Sequence, residues 1–437
     1  MSAQAQDVEA TPPKRRRAAF GFIFASVLLS SVSFGLIFPI LPNLIRSFFG
    51  SVSAASTASA AQWQFVFGVT WGAMQFVSGP VLGMLSDRFG RRPVMLLSTF
   101  GLALDLLVMT FAPSVAWLLL GRVLSGLAGF STASAYVADI SAPEERAKNF
   151  GWLSAGFSAG FLIGPAAGGF LATCQIHLGG FALDPLRTPF LVAAGLCALN
   201  WGYGLLVLPE SLPPERRMAA MDWARANPVG SLSLLASHRG LLPLAAITFL
   251  NQIATQVLPN VFVLLVTLRY HWSLTFLGLT FFVVGVVQIA VQALVVGPVV
   301  KRIGERGALI LGLSAVIVGF TLFGLATRPI GFFIAMPIFE VGGVAFAGLQ
   351  GLMSRAVSGA EQGRLQGAGQ SIAGIAAIVG PAIFPLSFAW ALRHLPGLPG
   401  LPLLISVGLL AAALALAIRF ARAAPTAAPA PQASLAS

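Results

Sequence analysis

Three ionisable side chains lie deep inside long apolar stretches of this chain: Asp105, Arg122 and Glu340. A charge at such a depth costs about 3 kcal/mol, and groups kept there despite that cost serve ion or proton traffic or pair with one another. A buried carboxyl that gains and loses a proton is what proton-driven transport requires. Asp105 and Glu340 are the carboxyls so placed, and Glu340 is the only acid in the apolar stretches of the second half. Arg122 can tune these groups by its charge or pair with Asp105. Other chemistry finds little support. His177, His238, His271 and His394 fall in loops or at the ends of apolar stretches. Cys174 and Cys197 lack metal-ligand spacing, so neither a metal nor a cofactor is expected. Gly156, Ser158 and Gly160 fit the hydrolase pattern G-x-S-x-G. That nucleophile needs a strand-to-helix turn, whereas here the pattern lies within one apolar helical stretch, so no catalytic residue and no enzyme is expected.

The elements that must carry these residues follow from composition. The 437 residues are 57% hydrophobic and 9% charged, against about 25% charged in soluble domains. Lipid is therefore the solvent, and only helices or closed barrels pair every backbone group there. The apolar runs are about twenty residues long, the length of a spanning helix, without the alternation of barrel strands. The fold expected is all-α, with twelve transmembrane helices near 18–41, 63–85, 94–112, 114–138, 149–173, 187–208, 240–268, 274–298, 307–326, 331–352, 367–390 and 400–420. The net charge of +12 sits between these runs rather than along one face, so a nucleic-acid partner is not implied. Twenty of the 26 Lys and Arg residues fall on one side of the membrane, which places that side and both termini in the cytoplasm.

The chain divides into a polar segment 1–17, a six-helix half 18–208, a linker 209–239, a second half 240–422 and an Ala/Pro-rich tail 423–437 expected to be disordered. The halves repeat. Gly83, Asp87, Gly90 and Arg91 after span 2 correspond to Gly297, Lys301, Gly304 and Glu305 after span 8, an offset of 214. Gly164 and Pro165 in span 5 recur as Gly380 and Pro381, an offset of 216. Repeated halves of this kind are a transporter architecture, with the substrate near the midplane between them.

The stretch Gly83 to Pro93, with Gly121 and Arg122 in span 4 and the Gly-Pro run in span 5, resembles the major facilitator superfamily. Within it the chain is most similar to the drug–proton antiporters and their tetracycline efflux branch. The resemblance implies alternating access in a bacterial inner membrane, with a small-molecule substrate, protons and the lipid bilayer as partners, and a monomer. It implies a part in proton coupling for Arg122 and Asp105; Glu340, which departs from the branch, joins them through its burial near the middle of span 10, a helix the resemblance places along the cavity. It also implies a latch between the halves, built from Gly83, Asp87, Gly90, Arg91 and Asp139, that closes when the cavity faces outward. Glycines at turns and close approaches suit such a loop, and Asp87 suits the positive end of a neighbouring helix. Lys301 stands where a second Asp would be, so the second copy is expected to lack the latch. Gly156, Gly160, Gly164 and Gly168 make a smooth stripe for helix packing, with Pro165 able to bend the helix.

Three departures narrow the substrate. Ser30, Val316 and Gln288 stand where the tetracycline branch has an Asp, another acid and a His. The cavity expected is therefore polar but mostly uncharged: Ser30, Ser33, Gln75, Asn251, Gln252, Gln256, Gln288, Gln292 and Gln370, with Trp71 and Phe249 as stacking surface. Export of a drug or secondary metabolite is the leading expectation. An importer of a siderophore or metabolite on the same fold is the alternative, and a receptor without transport would not need the repeat-related cavity.

Overall fold

The computed structural model describes residues 13–125, 130–141, 143–178, 181–218, 234–235, 240–358 and 361–420. The expected disordered tail 423–437, residues 1–12 of the N-terminal segment and most of the linker beyond Met218 lie outside them. Spans 1 to 3 are the helices Pro13–Ser47, Ala54–Phe89 and Arg91–Phe111. Span 4 comprises Val115–Leu124 and Phe130–Ile140, span 5 is Pro143–Leu171 and span 6 is Thr188–Val207. In the second half, span 7 joins Leu241–Thr255 to Val257–Tyr270, and span 10 joins Pro329–Val341 to Gly343–Arg355. Spans 11 and 12 are Gln362–His394 and Leu401–Phe420.

Between Leu274 and Leu325 the chain is helical for 52 residues. A straight helix of that length would reach about 78 Å, far beyond the roughly 30 Å of hydrocarbon. Gly304 breaks it with φ 71° and ψ 173°, values open to glycine, so the segment crosses twice as spans 8 and 9. Span 8 also carries a π-helical turn at Gln292–Val296. Twelve crossings result. A two-residue antiparallel pairing, His177–Leu178 with Phe181–Ala182, lies in the loop before span 6 and is the one departure from helix and irregular loop among the described residues.

Small residues set the helix packing. A methyl at Gly160 would come within 2.7 Å of the Leu28 carbonyl oxygen, and one at Gly164 within 2.6 Å of that of Val32. Gly156 meets the Phe24 ring, and Gly168 meets Leu36 and Ile40. The stripe on span 5 thus lies against span 1, where Gly35 faces Pro165. Without a hydrophobic drive between helices in lipid, such close backbone contact is what holds them together.

Candidate functional site

Glu340 sits in the first helix of span 10, 5% exposed. It borders a cavity of about 70 Å³ between spans 7, 8, 9 and 10, whose surface is almost wholly apolar. The walls include six phenylalanines, Phe262, Phe281, Phe320, Phe323, Phe332 and Phe339. No hydrogen bond or ion pair reaches the Glu340 carboxyl among the described residues. The Phe262 ring lies 5.3 Å from both Phe281, which it meets edge to face, and Phe323, and 5.5 Å from Phe332, both at a tilt, so the walls brace one another. Neither composition nor periodicity marked this cage, because its rings come from four separate helices.

Asp105 and Arg122 have the opposite environment. Arg122 Nη2 donates to Asp105 Oδ2 at 2.7 Å, with the Asp side chain fully buried and the Arg side chain 7% exposed. Arg122 also contacts Met109 Sδ at 3.4 Å. Asp105 Oδ1 and Arg122 Nε have no hydrogen-bond partner among the described residues. Gly121 makes room for the pair, since a side chain there would strike Asp105 Oδ1. The guanidinium therefore serves the carboxylate inside the first six-helix half, a placement the residue types left open.

The polar residues expected to line the central cavity do not all reach it. Ser33 is a correction: it is 2% exposed, and its Oγ lies 3.7 Å from Cys197 Sγ of span 6. Span 6 packs against this part of span 1, so the hydroxyl turns into the first half. Ser30, Gln288, Gln292 and Gln370 are exposed, and Gln75, Asn251, Gln252 and Gln256 are half-buried. No hydrogen bond joins any of these eight side chains to another group among the described residues. Gln256 packs against Gly380 of span 11. Of the expected stacking residues, Trp71 lies 5.6 Å from Phe34, which stacks on Phe161 at 6.0 Å. Phe161 is 6.4 Å from Phe38, and Phe38 meets Phe281 edge to face at 5.1 Å. This aromatic row runs from the first half to the rim of the Glu340 cage. Phe249 packs against the core instead.

Among the described residues of spans 2, 5, 8 and 11, the halves meet at one end. Gly68 and Gly72 of span 2 abut Pro381 and Ala377 of span 11, and Phe76 abuts Gly374. Gly169 and Pro165 of span 5 abut Leu274 and Gly278 of span 8, and Leu162 abuts Gly285. Arg393 closes this end with a 3.1 Å hydrogen bond to Gln62. Further along the same helices the contact stops: nothing lies within 4 Å of the side-chain positions at Gly83, Gly363, Gly369, Gly151 or Gly297. Gly83, expected at a close approach, thus stands mid-helix in open space, because the helices have parted there.

The expected latch residues gather at the parted end. Arg91 donates through Nη1 to Asp87 Oδ1 and through Nε, at 3.0 Å, to Asp139 Oδ2. All three belong to the first half, so this cluster joins span 2 to spans 3 and 4 and does not bridge the halves in this conformation. Glu210 was not foreseen. Its Oε1 accepts the Arg91 backbone N–H at 2.7 Å, placing a carboxylate at the positive start of span 3. Gly90, at φ 103°, has no room for a side chain beside Glu210. In the second copy Arg355 Nη2 meets Glu305 Oε1 at 2.9 Å, joining span 10 to span 9 with the signs of Asp139 and Arg91 reversed. Ser158 lies inside the continuous helix Pro143–Leu171, without the strand a nucleophile elbow needs.

Set beside known proteins, residues 23–381 match the family model of the Major Facilitator Superfamily. The chain is 37% identical to the class C tetracycline resistance protein of Escherichia coli, over 84% of this chain and 89% of that one. It is 33% identical to the class G tetracycline resistance protein of Vibrio anguillarum, over 82% and 86% of the two chains. Among solved structures, a bacterial homolog of the human lysosomal transporter Spinster superposes with a TM-score of 0.74 at 16% identity, covering 94% of this chain and 98% of that one. A D-xylose–proton symporter superposes with a TM-score of 0.67 at 17% identity, over 92% and 97%. At such identities the solved structures share the fold.

Proposed function

The chain belongs to the Major Facilitator Superfamily, and on that premise we propose that it is a proton-coupled exporter of a small organic drug, working by alternating access. The observation that carries this reading is the one-sided closure. Spans 2 and 11, and 5 and 8, are packed at one end and parted at the other, which is one of the two states alternating access needs. The basic loops support a cytoplasmic side at the parted end with both termini inside, and the bacterial relatives support an inner membrane. Relatives named for tetracycline resistance favour export over uptake of a siderophore or metabolite.

Glu340 is the proton carrier in this reading, because it is buried, borders a cavity and has no hydrogen-bond or ion-pair partner among the described residues. Asp105 and Arg122 bias it from the other half. Ser30, Gln75, Asn251, Gln252, Gln256, Gln288, Gln292 and Gln370 offer hydrogen bonds along the parted seam, and the row from Trp71 to Phe281 offers ring faces. Such a path suits an aromatic, amphipathic compound. Ser30, Val316 and Gln288 bring no charge, so a metal-chelated form is not favoured. In the opposite state Asp87 leaves Arg91 and latches the halves. The unit is a monomer. The test is flux of labelled tetracycline and a panel of aromatic drugs in proteoliposomes. An imposed pH gradient should drive accumulation, and a protonophore should abolish it. If no compound moves faster with the gradient than without it, the reading is wrong.

A further inference from the structure

We infer that the base of spans 9 and 12, at the parted end, is a selective site for an anionic phospholipid. Its phosphate is held by Lys301, Arg302, Arg306 and Arg419, and its acyl chain lies along span 9. This goes beyond transport and does not depend on which compound is carried. The starting point is a difference of charge between the halves. Loops 86–93 and 139–150 carry five basic and four acidic residues, whereas their repeats, 300–307 and 355–366, carry five basic and two acidic. After span 6 the chain adds Glu210, which accepts the Arg91 N–H at 2.7 Å. After span 12 it adds Arg419 and Arg422, and no Asp or Glu follows Glu361 in the sequence. Sidedness in the membrane calls for the basic residues but not for the loss of the acids, since the first half has the same sidedness with its charges nearly matched.

The two acids of these second-half loops are engaged elsewhere. Glu305 turns toward span 10, where it meets Arg355 at 2.9 Å, and a side chain at Gly351 would strike it. Glu361 Oε2 accepts the N–H and the hydroxyl of Ser358. Lys301 and Arg302 are exposed, and no hydrogen bond or ion pair reaches either among the described residues. Arg306 Nη2 donates to the Ile418 carbonyl at 2.8 Å, which ties the start of span 9 to the end of span 12. Arg419 comes next in the chain, exposed, with its guanidinium 5.2 Å from the centre of the Phe420 ring. Four cations thus stand at the base of two packed helices, and no carboxylate is left to match them among the described residues.

The surroundings decide what the anion is. Guanidinium groups hold phosphate oxygens through paired N–H donors, and basic clusters flanking a span select anionic headgroups. Beside the cluster the surface is apolar: Ile303 and Ile418 are 49% and 53% exposed. Leu311, Val318, Leu322 and Leu325 are exposed too, at the spacing of one face of span 9. Spans 9 and 12 also touch at their far ends, where Gly324 lies against Leu403, so the face is continuous from the cations across the bilayer. One phospholipid satisfies both features, with its phosphate at the cations and a chain on that face. A zwitterionic phospholipid would bring its own cation into the cluster, and a soluble phosphate would leave the apolar face bare.

The experiment uses the full chain, delipidated in a nonionic detergent and titrated with dioleoylphosphatidylglycerol or dioleoylphosphatidylcholine, with bound lipid counted by native mass spectrometry. The wild type should bind phosphatidylglycerol about ten-fold more tightly than phosphatidylcholine. Lys301→Gln with Arg302→Gln and Arg419→Gln should lose most of that preference and leave phosphatidylcholine binding unchanged. Arg88→Gln with Lys148→Gln removes exposed cations from the first half and should change neither affinity. Equal binding of the two lipids by the wild type overturns the proposal, as does an unchanged preference in the triple variant. An equal loss in the first-half variant also overturns it, since the attraction would then be one of overall charge. If inorganic phosphate displaces the lipid as well as phosphatidylglycerol does, the chain contributes nothing and the site is not one for a phospholipid. Should the triple variant fail to fold, Arg302→Gln and Arg419→Gln are measured singly, and a preference unchanged in both sinks the site.

Discussion

Each half of the molecule buries an ionisable residue at nearly the same place, and the two halves treat it differently. Span 10 is the repeat partner of span 4, and the offset of 216 carries Leu124, two residues past Arg122, onto Glu340. In the first half Arg122 is matched at once by Asp105, at 2.7 Å. In the second half Glu340 is left among phenylalanines. A buried pair has the desolvation of two charges to meet and a lone carboxylate that of one, but only the pair meets it internally. The lesson is that burial by itself does not mark a working group. What separates a structural charge from one able to take up a proton or a ligand is whether the protein already supplies its counter-ion.

Replacing each acid by its amide should break this comparison most sharply. Glu340→Gln should eliminate gradient-driven accumulation in proteoliposomes while leaving thermal unfolding in detergent close to wild type, since no protein contact to its carboxyl is lost. Unchanged accumulation would move proton coupling to Asp105 or to the cluster at the parted end. Asp105→Asn should do the converse, because it strands a buried guanidinium. A loss of about 3–5 kcal/mol is expected in chemical denaturation, and Asp105→Asn combined with Arg122→Met should recover much of it. If the single variant is as stable as the wild type, the pair is not structural.

A smaller effect is expected at the parted end. Asp87→Asn should leave folding intact, because Asp87 is substantially exposed and Arg91 keeps Asp139. It should slow transport by weakening the outward-facing state, which cysteine cross-linking between the ends of spans 2 and 11 would register as a shifted population. Transport and cross-linking at wild-type levels would remove the latch. The smallest effect concerns the reversed pair. Glu305→Arg with Arg355→Glu should preserve stability within about 1 kcal/mol, since partly exposed bridges contribute little. Glu305→Arg alone should be the worse variant. Equal stability of the single and double variants would mean the contact has no energetic weight.

Much of the architecture was legible in the chain. The apolar run lengths located the crossings because the bilayer imposes one length on all of them, and span 1 differs mainly by reaching from Pro13 to Ser47. The stripe from Gly156 to Gly168 announced close packing because a missing side chain matters only where something approaches. Ser33 misled, since a serine on a cavity-lining helix can turn to either side, and its turn toward Cys197 depends on where span 6 lies. Nothing along the chain marks Glu305 and Arg355 as a pair: Lys301 is the residue aligned with Asp87, whereas the contact re-forms at the positions of Arg91 and Asp139 with exchanged signs.

The sequence by itself determined the solvent, the number of crossings, the two-fold repeat and the family, because each depends on composition or on order along the chain. The tertiary structure alone decided which buried charge has a partner, which face of span 1 carries Ser33, and which end of the bundle is closed. Those properties depend on distances between helices far apart in sequence. Asp105 and Glu340 are both acids in apolar runs; only the placement of Arg122 beside one, and of six phenylalanine rings around the other, makes them different chemical groups.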